Sequence, residues 1–290
     1  MKLSNIYVNG HEQIGVQTTN GVLVCEGALL GSDFPTSVDD LLRLPKAMKR
    51  LKQWVEQQNV MNQVMPEEAV RFRPCLERPG KIICIGLNYR KHAVETNALI
   101  PTQPVVFSKF SDTVAAHKEN IPLPMGSNQV DYEAELVMVI GRHADHVLEQ
   151  DALDYVFGYC NANDLSARDL QFRTSQWLLG KTCPKFSPIG PLLVTTDEIS
   201  NPNNLGIRTY RNGELVQNSN TSDMIFSCKE LIQYVSQYIP LNPGDMILTG
   251  TPEGVILGLP ESERRWLQPG DEVVVEIDGL GKLSNRMVER

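Results

Sequence analysis

Two glutamates set two residues apart, Glu133 and Glu135 in VDYEAELVMVI (130–140), are the first residues that could do chemistry. Strand side chains alternate between faces with period two. Asp131, Glu133 and Glu135 therefore share one face with Val137 and Val139, and Val130, Tyr132, Ala134, Leu136, Met138 and Ile140 line the other. A face turned to water would explain the acids, because half-exposed strands alternate in this way. The two valines on that face argue for burial instead. Buried like charges need protons, Lys/Arg partners or a metal ion to offset them. Asp164, in CNANDLSARD after a second strand-like run, can join the two glutamates across a sheet. Three carboxylates make an all-oxygen donor set that suits Mg²⁺, Mn²⁺ or Ca²⁺, and not zinc or copper. About three of six octahedral positions would stay open to water or substrate, as a catalytic ion requires.

Histidine is scarce, with five in the chain. His92 lies in GLNYRKHAVE after an apolar run, and Glu95 is three residues on, so on a helix the two share a face. A carboxylate so placed orients an imidazole as a general base. On residue types alone, an exposed pair worth roughly a few tenths of a kcal/mol is the simpler reading. His143 and His146, in the polar run GRHADHVLEQ, read as surface residues, and nothing marks His11 or His117. The six cysteines are scattered without a C-x-x-C pair. That argues against a zinc ribbon or a disulfide scaffold and suits a reducing cytosol.

The elements that must position these groups follow from pattern and turn chemistry. Residues 3–30 read as short strands, with N-G dipeptides at 9–10 and 20–21 for hairpin turns. From Ser37, apolar residues recur at helical spacing through about residue 60, with Ser37 as N-cap and Pro45 dividing or kinking the helix. Residues 61–80, with three prolines and no period, read as a linker. The rest is strand-rich: KIICIGL, PVVFSKF, AELVMVIG, VFGYCNAND, PIGPLLVT, IRTYRNGELVQ, DMILTG and DEVVVEIDGLGKL. The RNGE stretch at 211–214 is a hairpin turn, PGD at 243–245 and 269–271 are turns leading into strands, and 228–239 is a helix. Strands outnumber helices and do not alternate with them, which disfavours a doubly wound parallel sheet and favours a mostly-β (α+β) roll. No dinucleotide fingerprint, P-loop or G-x-S-x-G elbow is present.

Length and charge set outer bounds. The chain has 290 residues, two domains or one large one on the usual prior of about 100–200 residues each. Its 27 basic and 35 acidic residues give a net charge of −8, and the densest basic run, KAMKRLK at 46–52, falls on an amphipathic helix, so nucleic acid is not an expected partner. The start has no apolar h-region and no stretch approaches 18 apolar residues, so neither a secretory signal nor a membrane span is expected.

Taken together, these segments resemble the fumarylacetoacetate hydrolase superfamily, from about residue 80 to the C-terminus. KIICIGLNYRKHAVE is similar to its NYxxHxxE segment, PVVFSKF to its F-x-K strand, and VDYEAELVMVIG to its E-x-E metal strand. NDLSARDLQ, QWLLGKTCPKFSPIGP, PGDMILTGTPEGV and LQPGDEVVVEIDGLGKLSN resemble the segments that follow. The resemblance implies Glu133, Glu135 and Asp164 as ligands of Mg²⁺ or Mn²⁺, with Ca²⁺ a further choice. It implies His92 and Glu95 as a catalytic dyad on a lid-like segment, and Lys181 as the active-site lysine. Gln171 would contact a substrate oxygen and Thr251 a substrate carboxylate, while Arg168 and Asp169 would support the fold or the inner residues. One departure is Pro184, where many relatives have Asp. The resemblance implies the family's mixed β-sandwich roll, usually as a homodimer. With the boundary that the linker composition places near residue 74, the roll spans 74–290 and a small N-terminal α+β domain spans 1–73, and the cysteine usage makes a cytoplasmic location the expectation.

Family substrates are 2-oxo or 1,3-dicarbonyl acids, which a metal can chelate through a carboxylate and the neighbouring ketone, stabilising an enolate. The short two-domain members, which include acylpyruvases and oxaloacetate decarboxylases or tautomerases, are the most similar. Hydrolysis of a C–C bond, decarboxylation and keto–enol tautomerisation all follow from one such site. A diketo sugar acid hydrolase, or an isomerase of the 2-hydroxyhepta-2,4-diene-1,7-dioate type, is the alternative. A non-catalytic dimeric scaffold would have lost the site residues, and all are present.

Overall fold

The computed structural model describes residues 1–26, 30, 31, 33–57 and 64–290. Residues 27–29, 58–60 and 61–63, at the ends of the N-terminal strand, helix and linker readings, lie outside that range. The chain opens on a meander, β1 (Lys2–Val8), β2 (His11–Thr18) and β3 (Gly21–Cys25). Asn9 and Gly10 turn the first hairpin, both with positive φ, as a two-residue primed turn demands. Helix α1 (Val38–Leu41) is capped by the Ser37 side chain, and α2 (Pro45–Gln57) starts at the dividing proline.

The stretch read as a linker is instead woven into the sheet. It carries β4 (Val64–Met65), paired with β3, and β5 (Arg71–Phe72), paired with β1. Short strands interrupted by proline have no period to read, and only their partners make them strands. A division at 73/74 falls between β5 and β6 (Ile82–Gly86), and β1 hydrogen-bonds across it to a later strand.

After β6 come α3 (Arg90–Glu95), β7 (Val105–Lys109), β8 (Val114–Ala115), β9 (Asn120–Pro122), β10 (Val130–Asp131) and β11 (Ala134–Ile140). Then follow β12 (Val156–Asn163), β13 (Ser166–Ala167), α4 (Arg168–Gln171), α5 (Leu178–Lys181) and β14 (Ser187–Thr195). The chain closes with β15 (Gly206–Arg211), β16 (Glu214–Asn220), α6 (Cys228–Ser236), β17 (Met246–Leu248), β18 (Glu272–Ile277) and β19 (Gly281–Val288). The largest sheet runs β4-β3-β2-β1-β14-β12-β11-β17-β6-β7, and a second runs β16-β15-β18-β19-β9. A mostly-β, α+β roll is the observed architecture.

Strand β11 sits in the middle and is buried along its whole length. Leu136, Met138 and Ile140 pack into a core shared with Ile207, Val275 and Leu283 of the second sheet and with Leu231 and Val235 of α6. Val137 and Val139 pack the other way, into a core with Leu3, Leu41, Leu51 and Trp54 of the N-terminal part. The N-terminal layer thus covers the face on which Glu135 points. Among the described residues no helix is long and apolar enough to cross a membrane.

His117 joins the N-terminal layer to the roll. Its ring meets Phe72 of β5 edge-on at 5.6 Å, and its Nδ1 accepts from the Ser284 N–H of β19. Burial lowers its pKa from 6.5 to about 4. The unfolded chain therefore takes up a proton as pH falls through 6.5, while the folded one resists until about 4. Stability should drop across that window by about 2–3 kcal/mol from this residue. Urea midpoints of the wild type and of His117→Gln, followed from pH 7 to 4.5, should converge at the acid end. Parallel curves would remove His117 as the cause.

Candidate active site

Strand order and direction bring the site together at one end of the central strands of the large sheet. β6 and β17 are parallel, and β11 runs antiparallel to β17 and to β12. The C-terminal ends of β6, β12 and β17 therefore lie beside the N-terminal end of β11. His92 follows β6, Asp164 follows β12, Thr251 follows β17, and Glu133 and Glu135 stand at the start of β11. The Asp164 N–H donates to the Glu133 carbonyl at 2.9 Å, which locks the two strand ends together.

Glu133, Glu135 and Asp164 each offer an oxygen within 4.8 Å of the others, and all three are buried. Lys181 Nζ donates to Glu133 Oε2 at 2.6 Å and to Asp164 Oδ2 at 2.7 Å, and lies over the Phe107 ring. Two further cations complete the cluster. Lys109 pairs with Asp164 and donates to the Phe186 carbonyl, and Arg168 bridges Asp131 and Glu133. Burial would raise the Glu133 carboxyl, but the Arg168 and Lys181 charges overcome it and hold it at about 2. Burial also opposes the Lys181 ammonium, yet Asp164 and Glu133 hold its pKa above the ordinary lysine range.

Glu135 differs. Its Oε2 accepts the Gly250 N–H at 2.8 Å, and no side-chain cation touches it among the described residues. Burial, then repulsion from Asp164 and Glu133, pushes its carboxyl well above the ordinary range. Counted as ionised, four buried carboxylates, Asp131 included, face three buried cations, a formal charge of −1. A divalent ion would reverse that sign and favour an anionic substrate. The donor set is all carboxylate, so a hard divalent ion fits these residues.

Facing the cluster, His92 Nδ1 lies 2.8 Å from Glu95 Oε1, and Glu95 Oε2 accepts the Gly254 N–H at 2.9 Å. His92 is buried, so the exposed-pair reading does not hold. Two glycines permit the approach of these parts. A Cβ at Gly258 would come within 2.5 Å of the Glu95 carboxyl carbon, and one at Gly180 within 2.5 Å of the Gln171 nitrogen. Gly180 thus lets α5 close on α4 and places Lys181.

The cleft between dyad and cluster holds about 590 Å³. Gln171 and Thr251 line it. Gln171 Oε1 accepts from Arg168, which turns its NH₂ outward as a donor. Thr251 Oγ1 accepts from Gln217, leaving its hydroxyl proton free to donate. Asp169 holds Ser127 and the Asn128 N–H, away from the cleft. Pro184 is exposed and begins a turn closed by Phe186 N–H to Cys183 O at 3.1 Å, with Lys185 at positive φ. Proline pre-sets the first corner of such a turn, and Lys181 takes its carboxylate partners from Glu133 and Asp164. His143 and His146 are exposed.

Sequence reasoning missed three groups. Lys109 was visible only as the lysine of the F-x-K strand, Asp131 only as the third acid of its face, and Arg264 had no signal. Arg264 lines the cleft, donates Nε–H to the Leu259 carbonyl at 2.9 Å, and has no carboxylate partner among the described residues.

Known proteins share this arrangement of chain. The family model described as fumarylacetoacetate (FAA) hydrolase C-terminal matches residues 81–288. The mitochondrial oxaloacetate tautomerase fahd2 of Xenopus laevis is 49% identical over 215 residues, 73% of this chain and 67% of that one. The solved fumarylacetoacetate hydrolase of psychrophilic Exiguobacterium antarcticum has a TM-score of 0.84 at 30% identity, covering 100% of both chains. Maleylpyruvate hydrolase from Sphingobium sp. SYK-6, solved with manganese(II) and pyruvate, has a TM-score of 0.80 at 25% identity, covering 100% of this chain and 99% of that one.

If the three carboxylates hold the ion, Glu135→Gln should bind Mn²⁺ at least about 10–100-fold more weakly. Calorimetry and the Mn²⁺ paramagnetic signal would read this, with circular dichroism unchanged. Equal affinity would take Glu135 out of the ligand set.

Proposed function

The chain belongs to the fumarylacetoacetate hydrolase family, and from that premise we propose a divalent-metal-dependent enzyme acting on a small 2-oxo acid, with oxaloacetate the leading substrate and keto–enol tautomerisation the leading reaction. The observation that carries this reading is one cleft with an imidazole–carboxylate dyad opposite a carboxylate triad and a buried lysine. The 49% identical relative named an oxaloacetate tautomerase supports the choice of substrate. Magnesium or manganese is the proposed ion, held by Glu133, Glu135 and Asp164. When bound, it supplies Lewis acidity that lowers the cost of negative charge on the substrate C2 oxygen.

The chain's own residues handle the proton. His92 Nδ1 is engaged by Glu95, so Nε2 is the atom free to take a proton from C3. The Glu95 carboxylate stabilises the imidazolium that results. Lys181, kept as ammonium by its carboxylate partners, donates toward the C2 oxygen. The C3–H bond breaks to His92 Nε2 and the imidazolium returns that proton to the C2 oxygen, so an O–H bond forms, the imidazole ends neutral and Lys181 remains an ammonium hydrogen-bond donor. Gln171 and Thr251 donate to the carboxylate next to the ketone. Arg264, the lining cation without a carboxylate among the described residues, suits the distal carboxylate of a C4 dicarboxylate.

A second reading rests on the size of the cleft. A volume of about 590 Å³ exceeds what a four-carbon acid fills. A longer acylpyruvate would fill more of it, with His92 activating water for C–C hydrolysis; the maleylpyruvate hydrolase likeness favours this alternative. A homodimer in the cytosol completes the proposal. Phe172 and Leu179, 55% and 56% exposed beside the cleft, suit the first point, and six free buried cysteines suit a reducing compartment.

The Mn²⁺-loaded enzyme should speed loss of enol-oxaloacetate absorbance relative to a chelated control, with no pyruvate at the end point. Pyruvate would mark a decarboxylase, and no metal effect would move acylpyruvates to the front. His92→Asn should lower kcat by about 10²–10⁴. Arg264→Gln should raise KM for oxaloacetate roughly tenfold while sparing a monocarboxylate acylpyruvate; an equal loss on both would deny Arg264 the distal carboxylate.

A further inference from the structure

A second cleft, of about 500 Å³, shares no lining residue with the active site. Its walls are residues 70–74 from the junction between N-terminal layer and roll, residues 116–119, and Lys185. Arg71, Arg73, Lys118 and Lys185 line it with Glu119 as the one carboxylate, on a chain whose net charge is −8.

Two of them are already matched. Arg73 pairs with Glu12 and Glu77 at 2.8 and 2.6 Å, and Lys185 pairs with Glu119 at 3.0 Å. The other Glu119 oxygen accepts the Ala116 N–H, so that carboxylate is fully engaged. Arg71 and Lys118 are exposed and have no ion-pair partner among the described residues.

His117 supplies the independent observation. It is 7% exposed and lines this cleft. Its Nδ1 accepts the Ser284 N–H at 3.0 Å, so Nδ1 must carry the lone pair and the neutral ring must carry its proton on Nε2. No protein acceptor meets that Nε2–H among the described residues. The side chain is largely buried, while its Nε2–H has no protein partner and reaches solvent in the cleft that Arg71 and Lys118 also line, and a donor of fixed tautomer so placed is half of a hydrogen-bonded anion site.

We propose that this cleft binds a small polyvalent anion, a phosphate or a polycarboxylate, on Arg71, Lys118 and the His117 Nε2–H. A halide would satisfy the charge and leave the donors of the Arg71 fork poorly used. An oxyanion presents several acceptor oxygens and takes both charges and the imidazole proton together. The site is separate from the metal cluster and does not depend on the reaction proposed above.

The test uses the full-length Mg²⁺-loaded protein, titrated in parallel with inorganic phosphate and with tricarballylate, by calorimetry and by long-range ¹H–¹⁵N correlation of the His117 ring. Saturable binding is expected, with the His117 Nε2 resonance shifting along the same isotherm. Arg71→Gln combined with Lys118→Gln changes two exposed side chains. It should weaken binding by at least about tenfold with circular dichroism and enol turnover unchanged. Binding of phosphate alone identifies a phosphoryl ligand, binding of tricarballylate alone a polycarboxylate, and either supports the site. Failure of both probes to saturate, an unmoved His117 signal, or undiminished binding in the double variant would overturn it.

Discussion

The structure depends on the balance of charge at the start of β11. Glu133, Glu135, Asp164 and Asp131 are nearly free of water, as are Lys109, Arg168 and Lys181. Removing one partner of such a set leaves an uncompensated buried charge, at a cost of about 3–5 kcal/mol. Groups that never touch a substrate are therefore as necessary as those that do. Arg168 reaches across Asp131 to Glu133, while the Ile256 and Leu257 N–H groups donate to Asp131. The loop after β17 is tied into the cluster by the same contacts that neutralise it.

The two halves of the cleft stand on different kinds of support. The carboxylates stand at the ends of central strands, held by ladders on both sides. The dyad stands on the six-residue helix α3, held by the Gly254 N–H and by the fit of Glu95 against Gly258. Just beyond it, Leu99 is 91% exposed. A rigid carboxylate end and a lightly held imidazole would suit a site that must admit substrate and then exclude water. Asn88, in the link between β6 and α3, donates to the Phe226 and Thr249 carbonyls and fixes the point from which the helix starts.

The N-terminal layer has a structural part in this chemistry. Its core residues pack against Val137 and Val139, on the face of β11 that carries Glu135. Without that cover the acidic face would meet water, and the carboxylates would be screened and weakly coupled. Asp39, fully buried, takes the Glu77 and Arg78 N–H groups and the Asn5 amide, and so clamps α1 to the start of the roll.

Local chemistry was legible wherever a residue's role depends on near neighbours. N-G pairs made hairpin turns at 9–10 and 212–213, Ser37 capped a helix, and Pro45 divided one. The E-x-E pair pointed to the candidate site from residue types and spacing, while the His92–Glu95 pair and the GK segment pointed to it only through the family resemblance. Three things needed the fold. Burial of the acidic face came from a layer supplied by residues far away in sequence. The strands at 64–72 exist because β3 and β1 pair with them. Lys109 and Arg264 joined the site only through contacts 55 residues along the chain or through a shared cleft wall. The sequence by itself determined turns, caps and the donor types, because those are set by backbone sterics and side-chain chemistry within a few residues. The tertiary structure alone decided which charges meet and whether they are dry, because Coulomb energy and desolvation depend on distance and dielectric, which no local pattern encodes.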